Sequence, residues 1–390
     1  MRRSQSAEQI AIQSSIARDM ALLVRRLSCR ITRAVRRLRI GAARFSASSV
    51  QWAFAAALVF CATSIAAAGC APDEQPTHTP GVTSVNQTSR PQILVYVGTY
   101  TFKGSQGIYT YQFDPVTGRL SPSGSTPAGN PSFLAIHPNK RVLYAVNELG
   151  EYSGEPTGAV SAFAIDATTG GLRLLNQQAS RGQAPAHITI DSSGSFVYVA
   201  NYSSGTAAVF PVQADGSLGE ASDVVQHVGS GPDPRRQREP HAHSVTLDFS
   251  GRHAYVADLG MDKLMIYDIA KEPGKLSSSD PGFVQVEGGS GPRHCAFHPS
   301  GRFAYLINEM GNTVTAFSYD AADGALTALQ TVPTLPADFD GRSTTADVHV
   351  SPSGRFLYGS NRGHDSIVVY QIDGETGRLT YVQHVSTGGR

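Results

Sequence analysis

Beyond residue 92 the chain is a succession of short apolar runs broken by turn residues, and the pattern repeats. Five stretches align without gaps: AIHPNKRVLYAVNE (135–148), TIDSSGSFVYVANY (189–202), TLDFSGRHAYVADL (246–259), AFHPSGRFAYLINE (296–309) and HVSPSGRFLYGSNR (349–362). Each reads as a strand, a tight turn around Ser-Gly or Asn-Lys, and a second alternating strand. The Asn or Asp closing the second strand recurs at 147, 201, 258, 308 and 361. A partial copy, YVGTY, opens the series at Tyr96–Tyr100.

A second hairpin follows each copy, and its outer turn also recurs: TGRL (117–120), TGGL (169–172), DGSL (215–218), PGKL (273–276), DGAL (323–326) and TGRL (376–379). Four strands in a period of roughly 53 residues are the signature of a β-propeller blade. One four-stranded sheet cannot bury both of its faces alone, so the copies are expected to stack. No segment keeps a 3.6-residue period, which excludes a helical solenoid. The expectation is an all-β fold of about six blades over residues 93–390.

Residues 1–92 do not share this pattern. Residues 2–44 carry eleven Arg, with Glu8 and Asp19 as the acids, and Trp52–Gly69 is an uncharged apolar run. Basic flank, apolar core and small residues describe an export signal. Ala67-Ala68-Gly69-Cys70 resembles a bacterial lipobox with Ala67 in the usual Leu position, which makes Cys70 the candidate lipidated residue. Residues 1–70 are therefore read as a basic region with an export and lipoprotein signal, and 71–92 as a flexible Pro/Thr/Ser-rich tether. This implies an exported, lipid-anchored protein that meets the membrane only through that anchor. The alternatives are an uncleaved anchor, a transit peptide, or a cytoplasmic protein with an over-extended start.

Charge follows the same division. Residues 1–91 hold twelve Arg and four acids, whereas 92–390 hold twenty Lys and Arg against twenty-seven Asp and Glu. A mildly acidic body gives no reason to expect a nucleic-acid partner. Of the four cysteines only Cys295 lies in the repeats, so the body is expected to have no disulfide and no Cys-based metal site.

A repeat also separates scaffold from site, because positions that differ sharply between copies are free for chemistry. The residue before the first strand reads Ser132, Ala186, His243, Arg293 and Ala346. The residue after the recurring Asn/Asp reads Glu148, Tyr202, Leu259, Glu309 and Arg362. Counting outward from each turn sets Arg293 opposite Asn308 or Glu309, His243 near Asp258 or Leu259, and Arg362 near Ala346 or Asp347. His241, His243, Arg293, Glu309 and Arg362 are thus expected to face one central funnel. His294, Asn308 and Asn361 lie at its edge, and Glu148 shares the Glu309 register in another blade. Two arginines suit an anionic or carbonyl substrate and a developing oxyanion, and a His or Glu suits a general base. His241-Ala242-His243 lacks a third ligand of comparable spacing, so no metal or other cofactor is expected. His137 and His298 repeat in register and read as structural. The run Arg235-Arg236-Gln237-Arg238 is left open as a solvated loop or a lid.

The body also resembles a known family, the seven-bladed β-propeller lactonases of the 6-phosphogluconolactonase type, with the fungal carboxy-muconate cyclases as relatives. The carriers are YVGTYT (96–101), PSFLAIHP (131–138), VYVANYSSG (197–205), PHAHS (240–244), GPRHCAFHPSGRFAYLINE (291–309) and NRGHDSI (361–367). The resemblance implies metal-free opening of a small-molecule lactone by water, and the protein is expected to be a monomer. His241 or His243, Arg293, Glu309 and Arg362 would then form the catalytic set, with His243 or Glu309 as base. It also implies seven blades, and the next second-strand motif would fall past Arg390, so the last blade is read as incomplete. An exported protein would not meet 6-phosphogluconolactone, which points to another lactone. The competing readings are a lactonising enzyme of the cyclase kind and a non-catalytic surface propeller that binds a ligand or protein.

Overall fold

The computed structural model describes residues 93–269 and 272–389. Their regular structure is β-strand apart from one 3₁₀ turn at Thr101–Lys103. The strands fall into six sheets. The first has three: Ile93–Val97, Gly107–Asp114 and Arg119–Pro127. The other five have four each, opening at Leu134, Pro185, Ala242, Pro292 and Thr344 and closing at Ala179, Gln226, Gln285, Pro333 and Ser386. We number these blades one to six. Strand neighbours in every blade are consecutive in sequence, the up-and-down order expected of a propeller.

Contacts divide the chain into two units. The described part of the smaller is 93–95 and Tyr111–Ser123, whose turn is held by Asp114: its carboxylate accepts from Val116 N and Thr117 Oγ1. The larger comprises Tyr96–Thr110 and 124–389 and contains every candidate site residue among the described residues.

Within the larger unit the core is a series of apolar layers, each drawn from two successive blades. Val146, Val160, Val199 and Phe210 join blades two and three, Ala200, Val209, Val245 and Val256 join three and four, Ile266, Leu306 and Phe317 join four and five, and Ile307, Val314, Val348 and Val368 join five and six. The second strands of blades two, four and five are consequently buried along their whole length, at Val142–Asn147, His253–Asp258 and Phe303–Asn308. A strand covered on both faces reads as a continuous apolar run rather than an alternating one.

Polar latches repeat the same step. Tyr96, Tyr144, Tyr255 and Tyr305 each donate a phenolic hydrogen bond to a glycine carbonyl in the outer turn of the next blade: Gly170, Gly216, Gly324 and Gly377, at 2.7–3.0 Å. All four glycines have φ between +71° and +87°, which is why the TGRL-type turn keeps Gly. His137 and His298 reach Gly194 O and Gly354 O of the following blade, at 3.2 and 2.8 Å, in keeping with the structural reading. Cys295 is free and buried, and burial pushes its thiol up to about 12.

Candidate functional site

The site is built on one local irregularity repeated from blade to blade. Between the first and second strands the ladder skips a residue. Pairing steps from Ala242–Asp258 to Ser244–Ala257 and from Pro292–Asn308 to His294–Ile307, so His243 and Arg293 have no opposite number. Ala186 is skipped in blade three, and in blade six Ala346 and Asp347 together span the gap before Val348. Such a bulge leaves a residue unpaired and re-aims its side chain.

The bulge also corrects the register expected from the turns. Arg293 is opposite neither Asn308 nor Glu309, since Pro292 faces Asn308 and Glu309 N donates to Gly291 O at 2.6 Å. Leu259 N likewise donates to His241 O. Arg362 pairs with Thr344 rather than with Ala346 or Asp347. The extra residue shifts each partner toward the strand start.

Four of the five expected catalytic side chains nevertheless meet, and a fifth group joins them. Glu309, only 8% exposed in its side chain, is contacted by three guanidinium groups. Arg293 Nε lies 3.0 Å and Arg362 Nη2 2.8 Å from Oε2, and Arg236 Nη2 lies 2.8 Å from Oε1. His243 Nε2 stands 4.0 Å from Oε2, too far for a direct hydrogen bond. Arg236 comes from the loop left open as a solvated segment or lid, and it also donates to Tyr202 Oη at 3.2 Å. Its neighbour Gln237 is fully buried and fixes that loop through Asp262 and Leu259 O. The fifth expected residue, His241, stacks on Tyr202 with ring centroids 4.6 Å apart, and Tyr202 meets the His243 ring edge-on at 5.3 Å.

His294 lies inside the site rather than at its edge. It donates from Nδ1 to Asp347 Oδ1 at 2.7 Å, which leaves Nε2 to accept from Arg293 Nη1 at 3.2 Å. Asp347 takes a second bond from His349 Nε2 at 2.9 Å. The rings of His187, His243 and His294 pack edge to face at 5.2–5.3 Å. Asn308 and Asn361 are not part of this surface. Asn308 Nδ2 donates to Thr313 and Thr315, and Asn361 Nδ2 to Thr334 O and Ser366, all within blade scaffolding. Glu148 belongs to a separate cluster with Ser132 and Tyr100. Cys70 lies outside the described residues. Among the described residues no three His, Cys, Asp or Glu side chains are grouped to hold a metal ion.

The electrostatics assign protonation states. Burial disfavours the Glu309 carboxylate, but Arg362, Arg293 and Arg236 outweigh it and hold the group below its ordinary value. Burial, followed by the charge of Arg293, keeps His243 well below 6.5 and therefore neutral. The same two causes lower His294. Burial also lowers the Arg293 guanidinium, aided by repulsion from Arg362. Three cations around one carboxylate leave a net positive charge beside a neutral imidazole. That arrangement suits an anionic or polarised carbonyl group and a proton transfer to His243.

Comparison with known proteins gives the same direction. The chain is 40% identical over 297 residues to the 6-phosphogluconolactonase of Bacillus subtilis, covering 75% of this chain and 82% of that one. It is 34% identical over 308 residues to the 6-phosphogluconolactonase of Formosa agariphila, covering 76% and 83%. The solved structure of the periplasmic gluconolactonase of Pseudomonas aeruginosa superimposes with a TM-score of 0.71 at 36% identity, covering 76% of this chain and 84% of that one. A family model described as lactonase, 7-bladed beta-propeller, matches residues 94–390, the whole of the repeating body that carries the bulges and the arginine cluster. With blades, bulged site and kinship in agreement, the chain belongs to the seven-bladed β-propeller lactonase family.

Proposed function

We propose that this protein opens the ring of a sugar lactone by adding water, with the chemistry centred on His243. The observation that carries the reading is the convergence of Arg236, Arg293 and Arg362 on Glu309 next to a neutral, buried imidazole. Arg293 and Arg362 hold the substrate's carbonyl oxygen and any attached anion. His243 takes a proton from water as the water oxygen attacks the carbonyl carbon, and the resulting oxyanion is stabilised by the guanidinium groups. Collapse breaks the ring C–O bond, and the proton returns from His243 to the departing alkoxide. Glu309 serves as the anchor that aligns the arginines rather than as the base, because both of its oxygens already accept charged donors. The kinship with 6-phosphogluconolactonases and a periplasmic gluconolactonase supports a gluconolactone-type substrate.

The test is proton release on adding δ-gluconolactone or its 6-phosphate. Turnover by the wild type that Arg293→Ala lowers at least about a hundredfold supports the assignment. Turnover unchanged by both Arg293→Ala and His243→Asn overturns it.

We further propose that the chain is exported and carries a lipid on Cys70, on the strength of the basic flank, apolar run and Ala-Ala-Gly-Cys sequence. Incorporation of labelled palmitate into the wild type but not Cys70→Ala tests this; equal labelling, or none, rejects it.

A further inference from the structure

Blade two repeats the site geometry of blade five with different chemistry. In blade five Glu309 N donates to Gly291 O, and Arg293, two residues on, contacts the Glu309 carboxylate. In blade two Glu148 N donates to Asn130 O at 3.0 Å, and Ser132, again two residues on, donates to Glu148 Oε2 at 2.6 Å. The equivalent backbone bond in blade three, Tyr202 N to Ala184 O, carries the side chain that packs on His241 and His243. The position therefore faces the site in blades three and five, and Glu148 occupies it in blade two.

Among the described residues Glu148 has no guanidinium partner. Its second contact is Tyr100 Oη, which donates to the same Oε2 at 2.8 Å and leaves Oε1 to an incoming donor. The Tyr100 segment is pinned there by Asn130, whose Oδ1 accepts from Thr101 N at 2.9 Å and Thr101 Oγ1 at 3.0 Å, and whose Nδ2 donates to Glu148 O at 3.2 Å. The phenol is held high first by burial and then by Glu148, while the positive charge of Arg293 reaches it and acts in the opposite sense, so the two clusters lie within electrostatic range. A carboxylate flanked by two hydroxyls, without a cation, is matched to O–H donors rather than to an anion.

We propose that Tyr100, Ser132 and Glu148 form a polyol subsite that accepts hydrogen bonds from the ring hydroxyls of the substrate while the arginines hold its carbonyl end. This rests on the lactonase reading and makes the enzyme selective for hydroxylated lactones. A site built around substrate hydroxyls discriminates strongly against analogues that lack them, because its polar groups are then left unpaired.

The experiment compares kcat/KM for δ-gluconolactone and unsubstituted δ-valerolactone, using the full chain. In the wild type the ratio should favour δ-gluconolactone, and Glu148→Gln should lower that ratio about tenfold or more, with Tyr100→Phe lowering it about threefold. A wild-type ratio near unity, or one that neither substitution changes, overturns the subsite while leaving the lactonase reading intact. If neither lactone is opened, the lactonase reading fails and calorimetric titration with D-gluconate decides the subsite. Binding weakened about tenfold by Glu148→Gln supports it, and absent or unaltered binding overturns it.

Discussion

Asp262 Oδ1 accepts a hydrogen bond from Gln237 Nε2 at 2.8 Å, and neither side chain is more than 1% exposed. The same carboxylate accepts from Gly291 N at 2.8 Å and Gly289 N at 2.7 Å. It thereby ties the loop of Arg236 to the segment that leads into Arg293, the two arginines that approach Glu309 from different blades. Asp262→Ala strands three donors and should cost about 2–4 kcal/mol of stability in urea melts. It should also lower kcat/KM about tenfold through misplaced arginines. Asp262→Asn, which keeps one acceptor, should fall between the two. Wild-type kinetics in a destabilised Asp262→Ala would show that the knot serves stability alone.

The acidic limb of the pH–rate profile identifies the base. His243 is held neutral well below pH 6.5, so kcat should stay level as pH falls through 6.5 and decline only below it. In His243→Asn kcat should fall at least about a hundredfold, and that limb should vanish. Glu309→Gln frees the arginines, raising KM and lowering kcat while the limb remains. A limb that survives in His243→Asn and vanishes in Glu309→Gln would reverse the roles.

Stability should decline on mild acidification. His187, His243 and His294 are all lowered by desolvation first and by neighbouring positive charge next, so below pH 6.5 the unfolded chain binds protons that the folded chain refuses. His349 acts oppositely. Burial lowers it, but Asp347 raises it above 6.5, and its contribution is lost as pH rises. Asp347 is held well below 3.8, so its contribution persists throughout this range. With three groups against one, unfolding free energy should fall between pH 6.5 and 5, with each histidine limited to about 1.4 kcal/mol per pH unit. Urea melts of the wild type and His187→Asn should show a shallower slope in the variant. Parallel slopes would remove His187 from the account.

The tyrosine latches set the mutual hold of blades. Tyr305→Phe removes the bond to Gly377 O and leaves a buried carbonyl short of one donor, at a cost of about 1–2 kcal/mol. Tyr144→Phe should cost the same through Gly216, and the pair should add, since the two latches share no partner. Thermal unfolding of both single variants and the double variant measures this.

The blades were legible because strand, turn and second strand recur with few changes, and the outer Gly turns mark the same step. His243, Arg293, Glu309 and Arg362 were legible as the positions that escape the repeat. Their register was not, because a bulge takes up one residue without altering the spacing of the turns around it. Arg236 was visible only within a basic run left open as a solvated loop or a lid, because it sits in a long loop with no counterpart to compare. The adjacent pair Gln237 and Asp262, both buried polar residues, is visible only as contacts. Asn308 and Asn361 were misplaced against the very criterion that found the others. They recur in blades two to six as Asn or Asp, the behaviour of scaffold, and their amides brace threonines and loop carbonyls.

The bulge has a further consequence for how this fold changes over time. His243 and Arg293 take no part in the ladder that pairs their strands, and Ala186 fills the equivalent place in blade three. Blades three to six thus each offer an address where a side chain can be exchanged with little effect on strand pairing. New substrates can be met by rewriting those addresses one blade at a time, while the latches and apolar layers keep the assembly standing.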